Sequence, residues 1–130
     1  MVVQQQTSLV PAFERLTRIA ALAPNWDAHG ALPPTPVAVA TASLLIEAVA
    51  EEQERAAGAR VAPETSAPIP DGGLQVEWAG RLERIEVQIA PDGMLGYLIV
   101  RGSGADAEFD EADNVPFARV VEAVTHVLAA

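Results

Sequence analysis

The sequence predicts an α+β fold, a three-stranded antiparallel meander packed against helices in the order α-α-β-β-β-α. Three observations predict it. Apolar residues recur at helical spacing near both ends of the chain. Between them, Leu74, Val76 and Trp78 alternate with Gln75 and Glu77, and Glu83, Ile85, Val87 and Ile89 alternate with Arg84, Glu86 and Gln88. Such period-two alternation marks strands with one buried face. Finally, Pro91-Asp92-Gly93 is a strong turn signal, because proline presets one turn angle and glycine takes a positive φ freely.

The elements follow in order. Residues 1–7 are polar and read as a frayed start. A first helix is expected from Pro11 to Ala23, with Leu9, Phe13, Leu16 and Ala20 on one side. Pro11 suits a first turn, where its missing N–H is not needed, and Pro24 stops the helix. Asn25 to Pro34 is a connector. A second helix begins at Thr35-Pro36, a good cap followed by proline, and Gly58 is its C-terminal stop. Its expected apolar stripe is Val37, Ala40 or Thr41, Leu44 and Ala48, with Glu47, Glu51, Glu52 and Glu54 on its later turns. Residues 59–72 hold three prolines and read as an extended linker between the helical half and the sheet. The third strand, 94–101, is apolar on both faces. That conflicts with a three-stranded meander, whose central strand is the second. A fourth strand near Glu108-Phe109 would extend the sheet. A last helix spans 115–128, capped by Asp113 or Asn114, with Phe117, Val120, Val121, Val124 and Leu128 as its stripe.

At 130 residues the chain has the length of one domain. A domain of this size buries about two-thirds of its unfolded surface and needs no cross-links. Half the residues are hydrophobic, much of that alanine, and only 5% are aromatic. There is no cysteine, which excludes disulfides, thiolate metal sites and thiol catalysis. The first residues lack a basic, apolar leader, and no apolar run is long enough for a membrane span, so the expected location is cytoplasmic. Net charge is −10, from eighteen acids and eight bases, all arginine. This balance opposes phosphate-backbone binding, which needs clustered cations, so no nucleic acid is expected. It suits a basic protein partner.

Two motifs about forty-five residues apart hold both tryptophans. One is Asn25-Trp26-Asp27-Ala28-His29-Gly30-Ala31, followed by Pro33-Pro34. The other is Pro70-Asp71-Gly72-Gly73-Leu74-Gln75-Val76-Glu77-Trp78. A tryptophan ring needs burial and its N–H a partner, so these motifs mark where the fold is pinned. Trp26 is expected against the first helix or the sheet, with Asn25 and Asp27 shaping the connector. If the motifs meet, Trp26, Asp27, His29, Asp71, Gln75, Glu77 and Trp78 form a candidate binding site for a small ligand or a divalent ion. Asp27, His29, Asp71 and Glu77 would supply the donors, although their spacing matches no ligand pattern and turn capping explains Asp27 more simply. No cofactor and no metal is assigned.

Other chemistry is absent from the pattern. Asp71-Gly72-Gly73 precedes a strand instead of following one, the wrong context for a phosphate cradle. Glu77, Glu83 and Glu86 lie on neighbouring strands, and Glu77 and Glu86 are expected on the solvated sheet face, where Arg81, Arg84 and Arg101 can pair with them. No nucleophile has a histidine at a recognisable offset, and no catalytic residue is assigned.

The two motifs, with Leu82 through Ile89, Pro91-Asp92-Gly93 and Tyr97-Leu98, resemble an uncharacterised group of short bacterial proteins. These share an Asn-Trp-Asp-x-x-Gly-Ala element and a Gly-Gly-hydrophobic-Gln-x-Glu-Trp strand. The resemblance covers residues 9–100, and Arg84 departs from the acidic-hydrophobic alternation usual in the second strand. It implies a shared single-domain fold and carries over no catalytic residue.

The function these features suggest is a non-enzymatic acidic interaction module, like an antitoxin, an immunity protein or an accessory subunit. Its docking surface would be Glu47, Glu51 and Glu54 on the second helix together with Asp106, Glu108, Asp110 and Glu111. A homodimer through a helix or a sheet edge is compatible with it.

Overall fold

The computed structural model describes residues 8–130, so the expected frayed start lies outside the described residues. Three helices, α1 (Val10–Ala20), α2 (Pro36–Ala57) and α3 (Phe117–Ala129), accompany five strands. The strands are β1 (Thr65–Pro68), β2 (Leu74–Ala79), β3 (Glu83–Ile89), β4 (Leu95–Arg101) and β5 (Glu108–Ala112). They form one sheet in the order β1-β2-β3-β4-β5, with every neighbouring pair antiparallel. The fold is α+β as expected, but the sheet has five strands where three or four were predicted.

The additional strand is β1, inside the stretch read as a linker. Pro63 and Pro68 disguised it, since proline cannot donate to a ladder and is confined to strand edges. β1 is such an edge, pairing only with β2, with Ser66 opposite Val76. The strand foreseen at Glu108-Phe109 is present as β5, preceded by a 3-10 turn at Gly104–Asp106. It resolves the conflict over β4, which now has a neighbour on each side. Leu95, Tyr97 and Ile99 point to the helices. Leu98 and Val100 point the other way, and Val100 lies opposite Phe109 of β5.

Register fixes which face is buried. Leu74 pairs with Ile89, Val76 with Val87 and Trp78 with Ile85. All six side chains are fully buried, as the alternation predicted. They join Leu16 and Ile19 of α1, Leu45, Ile46 and Val49 of α2, and Val120, Val124 and Val127 of α3 in one hydrophobic cluster. All three helices therefore cover the same face and leave the opposite one open. Each buried Leu, Ile or Val contributes roughly 1.5–3 kcal/mol of transfer free energy.

α1 buries Leu16 and Ile19, with Phe13 and Leu9 at its margin. Ala20, expected in the stripe, is exposed. The helix ends three residues earlier than predicted, and the turn closes with Leu22 N–H donating to the Ile19 carbonyl at 3.2 Å. Arg15 Nε donates to the Ser66 carbonyl and ties α1 to β1. At α2 the caps are as expected. Thr35 Oγ1 accepts from Ala38 N–H at 3.1 Å, and Gly58 takes φ 79°.

Two expectations about helix faces fail. The buried face of α2 is Ala38, Ala42, Leu45, Ile46, Val49, Ala50 and Gln53. The predicted stripe is turned by one residue, about 100° of helix. It faces outward, with Val37 52% and Leu44 60% exposed. α3 keeps Val120 and Val124 inside, but Val127 is buried, Leu128 is only partly so, and Phe117 remains 37% exposed. Neither Asp113 nor Asn114 caps it. Pro116 occupies that position without a side-chain bond, and proline at a helix start has no N–H to satisfy.

Candidate functional site

The two tryptophan motifs do meet, through their backbones. Leu32 N–H donates to the Pro70 carbonyl at 2.9 Å, and Leu32 forms an isolated parallel bridge with Asp71. Thr35 N–H donates to the Gly72 carbonyl at 3.0 Å. Thr35 Oγ1 also donates to the Pro91 carbonyl at 2.6 Å, fastening the β3–β4 turn to the start of α2.

Within the first motif nearly every polar group serves the loop. Asn25 and Ala28 both sit at φ 64° and Gly30 at φ 82°. Asn25 N–H donates to the Ala31 carbonyl at 2.7 Å, and Asn25 Oδ1 accepts from Gly30 N–H at 2.6 Å. Asp27 Oδ1 accepts from His29 N–H at 2.8 Å and Ala31 N–H at 3.0 Å. Trp26 is half-buried, and its Nε1–H donates to the Leu32 carbonyl at 2.8 Å. Asn25 and Asp27 thus shape the connector, as expected.

The second motif behaves the same way. Asp71 Oδ1 accepts from Gly73 N–H at 2.8 Å, and Gly72 takes φ 96°. A Cβ on Gly73 would stand 2.4 Å from the Ile89 carbonyl oxygen, so only glycine permits β2 to approach β3 there. Trp78 is fully buried on the helix-facing side, and its Nε1–H has no hydrogen-bond partner among the described residues. A buried donor left unpaired costs about 1–3 kcal/mol, which the burial of so large a ring outweighs.

The proposed donor quartet does not assemble. Glu77 projects from the open sheet face, six residues along an extended chain from Asp71, while His29 is exposed on the connector. Among the described residues no group of three or more His, Cys, Asp or Glu side chains is placed to hold a metal ion. Asp71 and Gln75 do line a cleft of about 680 Å³ at one end of the sheet, with Gln88, Met94, Asp113 and Asn114. No residue of the first motif lines that cleft.

The open sheet face is polar in its centre. Glu77 stands opposite Glu86, and Gln75 opposite Gln88. Like charges directly opposite each other on a sheet are destabilising. Burial, the Glu86 charge and the Glu64 charge hold the Glu77 carboxyl above its ordinary value, while Arg84 opposes them. Arg84 Nε lies 3.8 Å from Glu77 Oε1, a cross-strand pairing the sequence suggested, while Arg101 Nε lies 2.6 Å from Oε2 of Glu83, which is buried and in phase with Ile85 and Val87, not with Glu77 and Glu86. Arg81 forms no ion pair among the described residues.

The acidic residues expected to form one docking surface separate into two. Asp106, Glu108, Asp110 and Glu111 are all exposed, the first on the 3-10 turn and the rest on edge strand β5. Charges on an edge discourage it from pairing with its own copies. Glu47, Glu51 and Glu54 lie on the outward side of α2, which touches β2 and β3 and does not touch β5.

Around the α2 acids lies a surface that the sequence did not foresee. Leu44, Glu47, Ala48 and Glu51 join Phe117 of α3 around a depression of about 330 Å³. A groove of about 630 Å³ adjoins it, between Ala48, Glu51 and Glu52 of α2 and Phe117, Val121 and Glu122 of α3. The two share Ala48, Glu51 and Phe117 and are continuous along α2. Arg55, the cation at the groove's end, is paired with Glu52. Glu47, Glu51, Glu54 and Glu122 have no cationic partner among the described residues. Its acids Glu47 and Glu51 were foreseen as a docking surface, but Leu44 and Phe117 were placed in core stripes, which concealed its apolar part.

No described helix is long and apolar enough to cross a membrane. Comparison with known proteins finds no matching family model, no similar curated protein and no similar solved structure.

Proposed function

We propose that this chain is a non-enzymatic interaction module that docks a more basic protein through the outer face of α2 and α3. One observation carries the reading: α2 is apolar on two sides, and the described residues cover only one of them. The uncovered side presents Leu44 at 60% exposure beside Phe117, within a field of unneutralised acids. A mixed apolar and charged surface of this kind combines burial for affinity with charge for steering and partner choice. The net charge of −10 favours a basic partner and long-range attraction to it.

Ligand binding at the tryptophan junction has less support. The Oδ1 atoms of Asn25, Asp27 and Asp71 and the Trp26 N–H are engaged inside the loops.

The test is a pull-down with the tagged chain from its native lysate at low and moderate salt, read by mass spectrometry. A single stoichiometric basic protein, lost as salt rises and lost with Leu44→Ser, is the expected result. A partner retained by Leu44→Ser, or none at either salt, contradicts the reading.

A further inference from the structure

We infer that the segment of the partner seated in the α2–α3 groove is an amphipathic helix with an apolar stripe flanked by arginine or lysine. This rests on the interaction reading above and names what fills its site. Three features of the groove select that occupant.

The first is shape. Both walls are helices, and the exposed strip runs from Leu44 to Arg55 along α2. At the helical rise this is about 16 Å, or three turns, the span of one short helix laid along the groove. A helix-in-groove contact reads as apolar anchors three, four and seven residues apart. Leu44, Ala48, Phe117 and Val121 provide an apolar floor for such anchors.

The second is charge. Glu47 and Glu51 on α2 and Glu122 on α3 rim that floor, and Arg55, the only cation lining the groove among the described residues, is already paired with Glu52. Cationic side chains flanking the partner's apolar stripe would meet these carboxylates.

The third excludes self-docking. A second copy brings the same face, so Glu47, Glu51 and Glu122 would oppose their equivalents across an isologous contact between chains that each carry −10. Like-charge juxtaposition of this kind rejects a partner.

Fluorescence anisotropy with the full chain tests the inference. The probe is a labelled peptide of about sixteen residues, long enough to hold helix, with leucines on one face and arginines beside them. One control has the same composition scrambled off the face. Another is an extended peptide alternating arginine and valine. The helical peptide is expected to bind roughly tenfold tighter than its scrambled form, and to weaken roughly tenfold with Leu44→Ser. Glu51→Arg is expected to weaken it too, and a peptide with glutamate in place of arginine to recover binding to that variant. Both substitutions are at exposed positions and leave the core intact, which circular dichroism and thermal melting verify. Phe109→Ser, on the opposite side of the sheet, is expected to leave affinity unchanged.

Equal binding of helical and scrambled peptides, or insensitivity to Leu44→Ser, overturns the inference. Binding of the extended peptide alone, lost with Phe109→Ser, also overturns it and moves the site from the α2–α3 face to the β5 edge, so the docking face proposed above falls with it. No binding by any peptide overturns it as well. In that case the interaction reading above stands if the native pull-down yields a basic partner lost with Leu44→Ser, and falls if the pull-down is empty or its partner is retained.

Discussion

The tryptophan junction and the α2–α3 groove differ in what their side chains face. At the junction, Asn25, Asp27, Asp71 and Trp26 direct their polar groups at backbone atoms of their own loops. In the groove, Leu44 and Phe117 face solvent and Glu47, Glu51 and Glu122 have no ion-pair partner among the described residues, Arg55 being paired with Glu52. The more recognisable sequence motif therefore spends its polar groups on its own loops. The less conspicuous region holds the unsatisfied surface. Motif specificity measures how many constraints act on a segment, and here those constraints are turn geometry and close backbone approach. Binding surfaces are recognised instead by what the fold leaves uncovered.

The contrast can be broken most forcefully at the junction's second motif. Trp78→Ala should cost about 3–5 kcal/mol, because the ring is fully buried in the cluster shared by all three helices. Chemical denaturation measures it, and a loss under 1 kcal/mol would mean that the sheet tolerates a cavity at its centre. Asp27→Ala comes next. It leaves the His29 and Ala31 N–H groups without their acceptor, so about 1–2 kcal/mol is expected, with affinity for the basic helical peptide unchanged. Lost affinity in a folded Asp27→Ala protein would give the junction a binding role and erase the comparison.

Glu77→Gln sharpens it from the open sheet face. Folded Glu77 holds its proton to higher pH than it does in the unfolded chain, where its value is near 4.5. Between those two values the folded state binds more protons, so stability contributed by this residue rises as pH falls through that window. Above the window the charged carboxylate is a penalty, which the substitution removes. Glu77→Gln should therefore raise the melting temperature at neutral pH, by the equivalent of at most about 1 kcal/mol. The advantage should vanish once pH falls below 4.5. A neutral-pH loss of stability would show that the Arg84 contact outweighs burial and Glu86. Smallest of all is the stability effect of Leu44→Ser, within about 0.5 kcal/mol, as for a surface position outside the core. Its effect on partner binding should be the largest of the four.

Much of this architecture was legible in the chain. The alternation in β2 and β3 gave the buried face residue by residue, because a strand has only two sides and Glu77 and Gln88 mark the polar one. The caps at Thr35 and Gly58 were equally plain, since each is dictated by local backbone chemistry. α2 was not. Val37, Ala38, Val39, Leu44, Leu45 and Ile46 place apolar groups nearly all round it, so periodicity could not choose its phase. Tertiary packing chose the side bearing Leu45, Ile46 and Val49. β1 was hidden by its prolines, which an edge strand accommodates and a central strand does not. The candidate site suffered from the same ambiguity. Glu47 and Glu51 were named, yet the apolar floor beside them was assigned to the core. Whether the tryptophan motifs meet depended on the unrecognised bridge between Leu32 and Asp71.

The most direct test of the division between a folding motif and a docking groove is an amide NMR titration of the full chain with the arginine-leucine helical peptide. Shift changes confined to residues 44–55 and 117–125, with 25–34 and 70–78 unmoved, are predicted. Changes centred on 25–34 and 70–78, with the groove silent, would contradict the account.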